Sequence, residues 1–357
     1  MKIFALYLPQ FHVIKENNKW WGEGFTEWDN VKKAKKYTKT QIQPRVPLND
    51  NYYDLSKSEC IGRQCCMAKK YGIDGFCFYH YYSNGKLLLE TPAEILLNHT
   101  EFDINFFFSW ANHDWRRTWA SFNMEILMKQ KYGEAEEIKK HFLYLLPFFK
   151  DSRYIKIDNK PIFFIYQNVK KEVLQNYYRI FNELAIKEGF DGIYWVGTLK
   201  SNQDYYSIEL DDYYRFESDF TQHSNYIVSR WLQISRKWQR FMKRLRLNPN
   251  PVVINYKYLI KAISITSKLT PNYILGVASG WDNTPRHGEN GSFFKNQGPE
   301  LFERHLENQI KLTKKSRKPF LVINAWNEWG EGAYLEPDKE NTYKYLEAVK
   351  RIVSKYR

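Results

Sequence analysis

The chain has 357 residues, 43% of them hydrophobic, and a net charge of +14. That length admits two domains, but α/β barrels with insertions run this long as one, so a single catalytic domain over 1–357 with an elaboration at 220–270 is expected. No apolar run reaches the roughly eighteen residues of a membrane span, and the run from Met1 to Pro9 is too short for a signal peptide. Neither a spanning helix nor an export signal is therefore expected, and the expected address is the cytoplasm, with peripheral contact at the inner face of the membrane.

In chain order, apolar runs bounded by turn residues predict strands near 2–9, 73–81, 103–110, 161–167, 192–198, 211–217, 273–279 and 319–326. Helical patterns lie between most of them, at 54–71 (opening at Asp54), 134–149, 171–188 and 299–315, and a last helix at 341–355 follows the final strand. Eight βα alternations predict an α/β fold of the (β/α)8 TIM-barrel type with long loops. A doubly wound open sheet is the alternative, weakened because no GxGxxG or GxxxxGK[ST] loop follows any strand. Cys60, Cys65, Cys66 and Cys77 lack paired spacing and read as small buried thiols.

Residues 10–50 and 220–270 break the alternation. Both connections follow strands, so both are expected near the C-terminal rim, where barrels do their chemistry. Between Asp219 and Asp282 there is no acidic residue, while ten Lys and Arg occur there. Within this stretch Trp231, Ile234, Trp238, Phe241, Met242 and Leu245 recur at helical spacing. The plainer expectation is a helix packing that stripe on the barrel beneath a solvated basic face. Peripheral contact with an anionic membrane through 227–246 is the second. No nucleic-acid motif accompanies the charge, and no nucleic-acid partner is expected.

The densest polar and aromatic group is Asn324-Ala325-Trp326-Asn327-Glu328-Trp329-Gly330-Glu331-Gly332, at the end of the last strand. Cleaving a glycosidic bond takes a proton donor for the leaving oxygen and a second carboxylate on the anomeric side. Glu328 and Glu331 supply both and are the expected catalytic pair, with Trp326 and Trp329 excluding water and the neighbouring negative charge holding one carboxyl protonated. In isolation two such Glu would read as a surface turn; the flanking tryptophans and the preceding buried strand argue otherwise. Other strand ends carry Tyr7, Gln10 and His12; Trp21, Glu27 and Trp28; Tyr79 and His80; Trp110, Asn112 and Asp114; Trp281, Asp282 and Arg286. With Trp326, Asn327 and Trp329 these are the expected substrate-binding residues, because each buried sugar hydroxyl needs a hydrogen-bonding partner and a pyranose face packs on a flat ring. His80, His113, Asp114 and Asp282 show no chelating spacing, so no metal and no other cofactor is expected. No Ser or Cys stands in a nucleophile elbow.

At these residues the sequence resembles the WbsX-like proteins, a family related to glycoside hydrolase family 99 and described as glycosyltransferases of surface-polysaccharide synthesis. The matching stretches are Tyr7-Leu8-Pro9-Gln10-Phe11-His12, Lys19-Trp20-Trp21-Gly22 through Phe25-Thr26-Glu27-Trp28, Gly75-Phe76 with Tyr79-His80-Tyr81, Gly280-Trp281-Asp282-Asn283-Thr284-Pro285-Arg286, and Trp326 through Gly332. The resemblance implies that Glu328 engages the sugar 2-hydroxyl, through a 1,2-anhydro intermediate with retention, and that Glu331 is the general acid and base. Where the family commonly reads Trp-Ala-Asn-Glu-Asn-Trp, this chain has Trp110-Ala111-Asn112-His113-Asp114-Trp115, which displaces the acidic group by one position.

Two functions follow as expectations. The first is a retaining glycosidase-like enzyme acting on an oligosaccharide, a polysaccharide or a lipid-linked glycan. The second is a glycosyltransferase of O-antigen or capsule synthesis that uses an activated donor; the basic insertion suits an anionic donor, yet no DxD-type pair is evident, since Asp211-Asp212 lies in a predicted strand. A glycan-binding barrel without catalysis is disfavoured by the presence of both Glu328 and Glu331.

Overall fold

The computed structural model describes residues 1–117 and 125–357. In Lys2–Tyr7, Asn105–Trp110, Lys160–Ile165 and Tyr194–Leu199 every residue after the first is buried, and Gly276–Ala278 and Phe320–Asn324 are buried throughout. Strands buried on both faces are what a parallel barrel requires, one face filling its interior and the other meeting helices. All eight predicted strands are present: β1 Lys2–Tyr7, β2 Gly75–Ser83, β3 Asn105–Trp110, β4 Lys160–Ile165, β5 Tyr194–Leu199, β6 Asp212–Arg215, β7 Gly276–Ala278 and β8 Phe320–Asn324. They pair in parallel in the order β6-β5-β4-β3-β2-β1-β8-β7. Ile274 closes the ring between β6 and β7: its N–H donates to the Tyr213 carbonyl at 2.8 Å, and its carbonyl accepts from Arg215 N–H at 3.0 Å.

The barrel interior is filled by aromatic rings. Phe4 of β1 meets Phe107 of β3 and Phe320 of β8 edge-on at 5.0 and 5.4 Å between centroids, and Phe164 of β4 meets Phe107 and Tyr214 at 5.0 and 5.5 Å. Burying each ring contributes roughly 1.5–3 kcal/mol, and edge-to-face contact adds to that. Helices cover the outside, including Ala135–Lys150, Lys171–Lys187, Pro299–Lys315 and Lys344–Tyr356. In Lys171–Lys187 the buried Leu174, Tyr177, Phe181 and Ala185 recur at three- and four-residue steps, so one stripe faces the strands. The helix expected to open at Asp54 begins instead at Ser58, because the Asp54 carboxylate accepts Ser56 N–H at 2.8 Å in a turn just before it. Three cysteines are buried as expected, but Cys66 is exposed.

The connection 10–50 contains helices Lys15–Trp21 and Glu27–Lys33, and the 220–270 connection contains Tyr226–Arg244, a strand Val252–Asn255 and Tyr256–Leu269. The helix Tyr226–Arg244 corrects the plainer expectation. Trp231, Ile234, Trp238, Phe241 and Leu245 are half exposed or more, and the inward side carries Val228, Leu232 and the buried Gln239. The Gln239 amide donates to the carbonyls of Asn250 and Glu289 at 2.9 and 3.1 Å, which holds this side inward and turns the stripe outward. Among the described residues no helix is long and apolar enough to cross a membrane.

Candidate active site

The last strand ends at Asn324, and the chain turns back in a short hairpin, Asn327–Glu328 paired with Ala333–Tyr334. Asn327 anchors this turn to β1: its Oδ1 accepts Leu8 N–H at 2.7 Å and its Nδ2 donates to the Leu8 carbonyl at 2.9 Å. Gly332 adopts φ 59°, and a Cβ there would stand 2.9 Å from Asp282 Cβ. This left-handed step lets the Asp282 N–H donate to the Glu331 carbonyl at 2.5 Å, tying the β7 and β8 loops together. The turn thereby aims Glu328 and Glu331 into a cleft of about 590 Å³ on the C-terminal rim, the face on which barrel enzymes place their chemistry.

Arg286, from the β7 loop, joins three carboxylates. Its Nε donates to Glu27 Oε1 at 2.7 Å, its Nη1 to Glu331 Oε1 at 2.5 Å, and its Nη2 to Glu328 Oε2 at 3.4 Å. Glu27 opens the helix Glu27–Lys33, where Thr26 N–H donates to the Asp29 carboxylate at 3.0 Å. One guanidinium cannot neutralise three carboxylates, two of them buried and Glu331 partly so, and protons are taken up. Burial, followed by the nearby Glu331, pushes Glu328 from its ordinary 4.5 up to about 8. Burial also raises Glu331, against the pull of Arg286 and with a push from Asp219, and it raises Glu27. Arg286 stands farther from Glu328 than from Glu331 and so opposes protonation of Glu328 less.

Nine of the residues expected from the sequence line this cleft: Gln10, Trp21, Glu27, Tyr79, Asp114, Trp281, Arg286, Glu328 and Glu331. Asp114 accepts Gln130 N–H at 2.8 Å at the cleft edge. The other ten lie outside the lining, and the polar groups of most are engaged within the fold. Tyr7 OH donates to Gln64 at 2.6 Å, Trp28 Nε1 to the Tyr53 carbonyl at 2.8 Å, and Trp110 Nε1 to the Tyr82 carbonyl at 3.0 Å. His80 Nε2 shares a proton with His141 Nε2 across 2.8 Å, and burial lowers its pKa to about 3. Asn112 bridges the backbone of Gln167 at 2.9 and 3.0 Å, and Asp282 accepts from Gln41 and Thr284 at 2.8 and 2.6 Å. Asn327 holds Leu8, as above, and His12 is buried and not part of the lining. Trp326 packs on Phe76, and Trp329 donates to Glu336 at 2.7 Å and stacks on Tyr334. Neither tryptophan walls the Glu pair; Tyr79, Tyr81, Tyr166 and Trp281 do.

Asp219 and Tyr166 also line the cleft, and Lys200 stands with its Nζ 3.5 Å from the Tyr166 ring centroid. No motif marks these three. Their only signal in the sequence is position, since Tyr166 and Lys200 directly follow β4 and β5 and Asp219 lies just beyond β6. Among the described residues no three His, Cys, Asp or Glu side chains gather as a set that could hold a metal ion.

Comparison with known proteins agrees with this architecture. The chain is similar to a GH99 endo-alpha-mannosidase from Bacteroides thetaiotaomicron, with a TM-score of 0.60 at 13% identity, covering 99% of this chain and 97% of that one. A glycoside hydrolase-like protein matches with a TM-score of 0.58 at 11% identity, covering 99% and 93%. These likenesses establish a fold shared with carbohydrate-active enzymes. In sequence, two proteins called uncharacterized protein WxcX, from Xanthomonas campestris pv. campestris strains B100 and ATCC 33913, are each 28% identical over 99% of this chain. The chain spans 50% of the length of each. The family model described as Glycosyltransferase WbsX matches residues 3–349, and the chain belongs to that family.

Proposed function

We propose that this protein acts on a glycosidic bond of a surface polysaccharide or lipid-linked glycan by retaining, glycosidase-like chemistry, with Glu328 and Glu331 as its working carboxylates. The observation that carries the proposal is the Arg286-bridged pair at the rim of a barrel, with Glu328 raised to about 8. Such a pair holds one proton near neutrality, the state that acid and base catalysis across one bond requires.

By resemblance to the hydrolase relatives, Glu328 takes the proton of the sugar 2-hydroxyl as its oxygen attacks the anomeric carbon, and Glu331 gives a proton to the departing oxygen. Water or an acceptor hydroxyl then opens the 1,2-anhydro ring. It loses its proton to Glu331, while Glu328 returns a proton to the 2-oxygen, so net configuration is retained. In this scheme the one proton of the pair rests on Glu331 when the sugar is bound, which leaves Glu328 as the base. Tyr79, Tyr81, Tyr166 and Trp281 supply ring faces for sugar stacking, while Gln10, Asp114 and Asp219 supply hydroxyl partners.

Transfer to a sugar acceptor is the second reading, favoured by the description of the family. Mass-spectrometric product analysis separates the two. The purified protein is offered lipid-linked glycans and polysaccharide, with and without nucleotide sugars, beside Glu328→Gln and Glu331→Gln variants. Shortened glycans formed without any nucleotide establish hydrolysis; a gain in mass only with a nucleotide sugar makes the protein a transferase and overturns the mechanism above.

A further inference from the structure

The helix Tyr226–Arg244 presents Ile227, Trp231, Ile234, Trp238 and Phe241 outward, with Leu245 just beyond its end, each at least 50% exposed and Ile227 77%. Steps of four and three residues keep all six on one stripe. The helix is not loosely held: Val228 and Leu232 pack against the apolar cluster that includes Val252 and Ile254, and Trp231 Nε1 donates to the Val253 carbonyl at 3.1 Å. Arg236 donates to the Asn290 carbonyl and adds to the two bonds from Gln239.

Beside the stripe runs a basic row, Arg230, Lys237, Arg240 and Arg244, in a stretch with no acidic residue between Asp219 and Asp282. On the same side, between helix and barrel, lies a groove of about 500 Å³ lined by Arg236, Lys237 and Arg240 and, across from them, by Asp219 and Trp281. Asp219 and Trp281 line the catalytic cleft as well, so the basic groove adjoins it.

We infer that this helix docks the protein on an anionic lipid surface, its apolar stripe at the boundary of headgroups and acyl chains, and that the basic groove admits the phosphate of a lipid-linked glycan whose sugars run past Trp281 into the cleft. Charge selects the occupant, since a basic row beside an aromatic and aliphatic stripe complements acidic lipid headgroups. The glycan half rests on the function proposed above; the docking half stands apart from it.

The test is sedimentation of the 357-residue protein with phosphatidylcholine vesicles and with phosphatidylcholine–phosphatidylglycerol vesicles, paired with tryptophan fluorescence. Salt-sensitive binding to the anionic vesicles, with a blue shift, is expected. Ile234→Ser/Trp238→Ser/Phe241→Ser lowers that binding at least about tenfold with an unchanged circular dichroism spectrum, since these side chains are exposed and hold no bond to the barrel. Lys237→Gln/Arg240→Gln raises KM for a lipid-phosphate-linked glycan in vesicles and leaves KM unchanged for the same glycan freed of both lipid and phosphate. Absence of vesicle binding, equal binding by the triple variant, or self-association through this stripe in ultracentrifugation overturns the inference. Vesicle binding without turnover of either glycan upholds the docking face and counts instead against the glycosidic function.

Discussion

Gly330 leaves no room for a side chain beside Glu27: a Cβ at 330 would collide with Glu27 Oε1 and stand 3.0 Å from Arg286 Nε. The turn carrying Glu328 and Glu331 can close over the Glu27–Arg286 ion pair only because residue 330 is glycine. Gly330→Ala is expected to push Glu27 and Arg286 apart, to cost about 1–3 kcal/mol of stability as overpacking does, and to lower activity more than the fall in melting temperature accounts for. Thermal unfolding and turnover of the same preparation measure both effects, and an alanine variant with native activity would show that the turn has slack.

Arg286 is the cation in contact with three carboxylates, and Arg286→Met removes it. The sign follows directly: without the positive charge the protonated forms are favoured, so both limbs of the pH–rate profile move to higher pH. A fall in kcat/KM of about 10²–10³-fold is expected, the scale for a lost electrostatic donor. Arg286→Lys restores charge without the planar fork and should move the limbs back while recovering activity only in part.

The pair itself predicts a bell-shaped pH profile. Activity needs one proton over two carboxylates, so the alkaline limb falls through about 8, where the raised Glu328 ionises in the free protein. Glu331→Gln removes the negative charge that helps raise Glu328, so Glu328 should titrate lower in that variant. It should also lose turnover of substrates with poor leaving groups far more than of activated aryl glycosides. Equal losses on both would count against Glu331 as the acid.

Beneath the site, Glu336 accepts from Tyr53 at 2.6 Å and from Gln64 and Trp329 at 2.7 Å each, yet burial still raises it from its ordinary 4.5 to about 7. A carboxyl that binds its proton more tightly when folded contributes stability that is fully present below the unfolded pKa and lost as pH rises through the folded one. Here that window runs from about 4.5 to 7, and the change across it is on the order of 3 kcal/mol. Glu336→Gln loses one of the acceptors serving those three donors, so it should be destabilised most at pH 5. The gap to the parent protein should narrow toward pH 8 in denaturant melts, and a gap independent of pH would mean that Glu336 does not titrate in that range.

The sequence by itself determined the barrel and the location of its rim. Eight strands were legible because parallel strands covered on both faces read as unbroken apolar runs, and Glu328 and Glu331 were legible because they follow the last run directly. Tertiary structure alone decided which rim residues face the cleft. Asn327, Asn112 and Asp282 look like sugar ligands in the chain, but each hydrogen-bonds groups on other elements, Asn327 to a backbone 319 positions away. Such bonds depend on which loops the closed barrel brings together, and local pattern does not encode that. For the same reason Arg286 shows as the common partner of Glu27, Glu328 and Glu331 only once the β1, β7 and β8 loops meet. The spacing of Trp231, Ile234, Trp238 and Phe241 likewise identifies an apolar stripe but not its direction, which is set by the bonds of Gln239 and Arg236 on the opposite side of the helix.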